Sequence, residues 1–61
     1  MTVLTPAQRD EYIAEVARTG SVAQARATLR TRYAYRNPAW WRKNRVEIQA
    51  EWDRIDGEER K

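Results

Sequence analysis

Apolar side chains recur at helical intervals along this chain in three blocks separated by short polar junctions. Tyr12, Ile13, Val16 and Ala17 make a first stripe, Val22, Ala25 and Leu29 a second, and Trp41, Ile48, Trp52 and Ile55 a third. Thr5-Pro6-Ala7-Gln8 opens the first block as a capping box, with Pro6 at the first helical position. Gly20 supplies a left-handed stop, and Ser21 to Gln24 repeats the capping pattern at once. Asn37-Pro38 reads as a cap and first residue for the third block, which Gly57 is expected to end. The spacing therefore predicts helices over about 6–19, 22–30 and 38–56. TRYAYR, residues 31–36, is either a further short helix or an irregular connection. Met1 to Leu4 is a loose lead-in unless Val3 or Leu4 tucks under the domain.

These elements predict one all-α domain over residues 1–61, a compact three- to four-helix domain of the helix-turn-helix type with a long C-terminal helix. The last helix is longer than the other elements can cover, so it either packs back across the first helix or projects toward another subunit. At 61 residues the chain is near the lower limit for folding alone. Three tryptophans and three tyrosines must supply much of the core. Cysteine and histidine are both absent, which excludes disulfides, thiolate nucleophiles, the usual zinc sites and histidine acid–base chemistry. The N-terminal segment meets charge before any useful apolar run, and nothing approaches the ~20 apolar residues of a membrane span. A soluble cytoplasmic protein is expected, without cofactor or metal.

Charge changes the picture most. Arg26, Arg30, Arg32, Arg36, Arg42, Lys43 and Arg45 lie in one stretch that no acid interrupts. The rest of the chain holds five bases against nine acids, so the net +3 conceals a divided distribution. Such a concentration of positive charge attracts polyanions, nucleic acid foremost, although a charge run can also be no more than a solvated face. Arg30, Arg32 and Arg36 suit phosphate contact. Arg42 and Lys43 project from the first turns of the last helix, where a recognition helix places its reading side chains, and Arg45 bends away from the apolar stripe to water or a partner. Asn44 can read adenine if it points outward, but by angle it lies nearer the buried stripe and suits capping or packing equally well.

The aromatic residues divide between core and surface. Trp41 belongs to the stripe and is the core candidate. Trp40, about 100° away, is either a partly buried flank or an exposed contact. Of Tyr33 and Tyr35, one is expected to pack as a lid on the core while the other is exposed; stacking on single strands or RNA is the functional alternative. Glu47 with Glu51, and Asp53 with Asp56, pair at helical spacing, but no phosphate loop or nucleophile motif accompanies them. They read as a solvated acidic face, and the chain is not expected to be an enzyme.

Two segments resemble the DNA-binding domain of phage small terminase subunits, homeodomain-like helix-turn-helix modules that recognise packaging DNA. RDEYIAEVARTGSVAQARA, from Arg9 to Ala27, is similar to that family's first two helices. WRKNRVEIQAEWDRI, from Trp41 to Ile55, is similar to its tryptophan-plus-basic run and a following short helix. The turn glycine usual after the second helix is replaced by Leu29-Arg30, and two alignments place the recognition helix either at 31–36 or at 38–45. The resemblance implies a phage protein acting in the host cytoplasm. It also implies a homo-oligomer or larger packaging complex, although the chain has little room for an oligomerisation region.

The function expected is double-stranded DNA binding through Arg26, Arg30, Arg32, Arg36, Trp40, Arg42, Lys43 and Arg45. About five to seven phosphate contacts would give a log–log salt slope of about −4.5 to −6. The alternatives are a small helical module that binds and redirects a host or phage protein, or a transcriptional regulator. RNA stays open as a partner because of the tyrosines.

Overall fold

A computed structural model describes residues 3–59. Three helices follow in order: α1, Pro6–Thr19; α2, Val22–Arg36; and α3, Pro38–Glu59. Among the described residues no helix is long and apolar enough to cross a membrane.

The junctions follow from local chemistry. At the start of α1, Thr5 Oγ1 accepts from the Gln8 amide while Gln8 Oε1 accepts from the Thr5 amide. Gly20 ends α1 at φ 69°, and its amide donates to the Val16 carbonyl. Ser21 caps α2 through the Gln24 amide. Thr19 Oγ1 donates to the Glu15 carbonyl and accepts from the Ser21 amide, which ties the short turn together.

Two boundaries differ from the sequence expectation. Residues 31–36 are the continuation of α2, not a separate helix, so three helices replace the three to four expected. Tyr33 buries on the same face as Ala25 and Leu29, and that packing carries the helix to Arg36. The C-terminal helix also passes through Gly57 and runs to Glu59. One internal glycine costs about 1 kcal/mol, too little to end a helix packed on one side of it and ion-paired on the other, at Ile55 and Glu58.

Arg26 near the start of α2 bonds Asp53 and Asp56 near the end of α3. With only Asn37 between them, the two helices therefore double back as a hairpin. α1 lies across it, touching both helices through Tyr12, whose ring stacks on Trp52 at 5.2 Å and whose hydroxyl donates to Asp56. The core is Leu4, Tyr12, Ala25, Leu29, Tyr33, Ile48, Trp52 and Ile55. Leu4 is buried and Val3 packs against the core, so this part of the lead-in tucks under; Met1 and Thr2 lie outside the described residues.

A 22-residue helix is about 33 Å long, and the molecule's longest dimension is 33 Å. Its radius of gyration is 10.9 Å, against about 10.5 Å for a compact chain of this size. The last helix thus spans the molecule, and its C-terminal half packs back instead of projecting.

Candidate nucleic-acid interface

Internal ion pairs divide the seven bases of the central stretch into two groups. Arg26 is enclosed. Its guanidinium meets Asp53 at 2.8 Å and Asp56 at 2.6 Å, donates to the Tyr12 hydroxyl, and lies 5.9 Å from the ring centres of both Tyr12 and Trp52. Burial works against its charge, but the hydrogen bonds to Tyr12, Asp53 and Asp56 outweigh burial and hold its pKa above the ordinary value. Arg32 is paired with Glu11 at 2.8 Å. Both were expected on the polyanion-binding surface; the structure pairs them within the molecule, Arg26 tying α2 to α3 and Arg32 tying α2 to α1.

Arg30, Arg36, Arg42, Lys43 and Arg45 are exposed, and no ion pair among the described residues engages them. Elsewhere Arg9, Arg18 and Arg54 each have a carboxylate, in Glu58, Glu15 and Glu51. Among the described residues, the uncompensated bases are thus confined to the end of α2 and the start of α3. All five lie within about 12 Å of Asn37 measured along the helix axes.

The geometry of the hairpin explains the concentration. At its open end Arg26 of α2 faces the aspartates of α3, and opposite charges bridge the helices. Arg30 lies one turn along the same flank of α2. On α3 the flank that carries Asp53 and Asp56 continues, toward the closed end, through Gln49, Arg45 and Arg42. Toward the closed end this flank holds arginine in place of aspartate. The start of α3 adds the positive end of a helix dipole, and its first turn contains no acid.

The remaining candidates serve the fold. Trp40 is partly buried and meets Tyr33 edge-on, ring centres 5.2 Å apart. Trp41 is also partly buried, and the centre of the core is Trp52, at 1 % exposure. Asn44 Nδ2 donates to the Trp40 carbonyl within the helix. Tyr33 is buried; burial first, then the charge of Glu11 and a hydrogen bond to it, raise its pKa to about 12. Tyr35, at 88 % exposure, is the outward member of the pair.

Helical position sets Val46 away from the buried stripe, and it is 76 % exposed, but the sequence suggested no role for it. Gln49, also exposed beside Arg42 and Arg45, was missed; counting one further turn along that flank would have found it. Among the described residues no cluster of three or more acidic, histidine or cysteine side chains is placed to hold a metal. Compared with models of known protein families, with curated proteins and with solved structures, the chain gives no match.

Proposed function

We propose that this chain is a double-stranded DNA-binding module that uses the closed end of the α2–α3 hairpin, in the manner of the recognition domain of a phage packaging terminase. One observation carries the reading: five basic side chains without carboxylate partners gather around the positive end of α3, while the other described bases are internally paired. A concentration of uncompensated positive charge attracts polyanions, and a phosphate backbone supplies anions at high density. Because residues 31–36 belong to α2, the first turns of α3 are the recognition element in this reading. The resemblance of Arg9–Ala27 and Trp41–Ile55 to small terminase subunits supplies the packaging context. Several copies in an oligomer or packaging complex would raise the weak affinity of a single module by avidity.

Binding to a host or phage protein is the weaker reading. An interface hot spot of that kind would draw on Trp40 with Tyr33 or Tyr35 and neighbouring arginines; Trp40 and Tyr33 pack on each other, which leaves Tyr35 as the exposed aromatic.

The test is titration of labelled duplex DNA at two salt concentrations, with heparin as competitor. Binding that weakens steeply with salt and yields to heparin supports the reading. A folded protein that fails to bind at low salt and tens of micromolar contradicts it.

A further inference from the structure

Arg42, Arg45, Val46 and Gln49 stand at i, i+3, i+4 and i+7 on α3, within an arc of about 100° on its exposed side. All four are exposed, and Val46 is 76 % exposed. None of the four has an ion pair or side-chain hydrogen bond among the described residues. The arc is bounded toward the C-terminus by Asp53, which is held by Arg26, and Glu47 points to a different side of the helix. A β-branched side chain at an exposed helix position adds nothing to this core and forms helix less readily than alanine. Surrounded by two arginines and a glutamine, it completes a particular chemical set.

We infer that this face reads base edges in the major groove: Arg42 and Arg45 take guanine, Gln49 takes adenine, and Val46 packs on a thymine methyl. The inference rests on the duplex-DNA reading above and deepens it from electrostatic attachment to sequence selection. The major groove admits an α-helix and presents the matching groups: paired acceptors on guanine, a donor and an acceptor on adenine, and a methyl on thymine. From Arg42 to Gln49 the helix rises about 10.5 Å, the span of about three base pairs. Arg30, Arg36 and Lys43 lie outside the arc and are left for phosphate, which fixes position without carrying sequence information. Tyr33, Trp40, Trp41 and Trp52 are committed to the core and its edge, so a series of stacking platforms for unpaired bases is not what this surface offers.

The experiment is selection of bound duplexes from a randomised pool by the full chain, repeated with Val46→Ala and Gln49→Ala. Each variant is checked for an unchanged helical signal and unfolding midpoint. The expected result is a short enriched motif containing guanine. Each variant should relax the preference at one base pair, by about tenfold for Gln49→Ala, and, losing no charge, keep the wild-type salt slope. Steep, salt-dependent duplex binding with no enriched motif, or a motif that both variants retain unchanged, would overturn the base-reading inference and leave duplex binding standing. Failure to retain any duplex would overturn both.

Discussion

Arg26 sits by sequence in the basic stretch, yet its guanidinium joins α2 to α3 through two aspartates and lies against two rings. Arg26→Ala would leave Asp53 and Asp56 close together without their cation. Removing one partner of a fully buried pair costs about 3–5 kcal/mol; with 27 % of this side chain exposed, solvent screening reduces the expected loss to about 1–3 kcal/mol, read from urea unfolding. The same substitution should leave the salt slope of DNA binding unchanged. Tyr33 gives a pH signature. Its folded pKa of about 12 lies above the usual 10.0, so the folded chain holds the phenolic proton more tightly than the unfolded chain. That contribution is full below pH 10 and is lost as pH rises toward 12. Tyr33→Phe should therefore flatten the fall of the urea midpoint across this window. An equally steep fall in the variant would contradict the assignment.

At the scale of the element, two glycines make opposite predictions. Gly57 lies inside α3 with φ in the ordinary range, and a Cβ built there meets nothing within 4 Å. Gly57→Ala should stabilise the protein by about 0.5–1 kcal/mol, a rise in Tm of several degrees at this chain length. Gly20 has equal space but φ +69°, so Gly20→Ala should destabilise by about 1 kcal/mol. Thermal unfolding of the two variants checks both signs. Helix α1 was legible because its caps and its stop are all written locally, at Thr5, Gln8 and Gly20. The second half of α2 was harder to read, because TRYAYR alternates charge and aromatic residues. The usable signal was Ala25, Leu29 and Tyr33 at steps of four, one stripe running past the expected end. Gly57 was read as a stop because a breaker was weighed without the tertiary contacts on either side of it.

Across the whole molecule, the location of the basic surface was written in the sequence, but its membership was not. The partners that withdraw Arg26 and Arg32 stand 30 and 21 positions away, at Asp56 and Glu11. Only the fold brings them together. Five uncompensated bases remain, and they set a quantitative expectation. The most direct test is the affinity for duplex DNA measured across a range of salt, for the wild type and for Arg42→Ala, Arg45→Ala and Arg26→Ala. On duplex of unselected sequence, where Arg42 and Arg45 read no base and all five cations meet phosphate, the wild type should give a log–log slope of about −4.5; the first two variants should each lower its magnitude by up to about 0.9, with Arg26→Ala unchanged. Absence of salt-dependent binding, or a slope that falls as much for Arg26→Ala as for Arg42→Ala, would contradict the account.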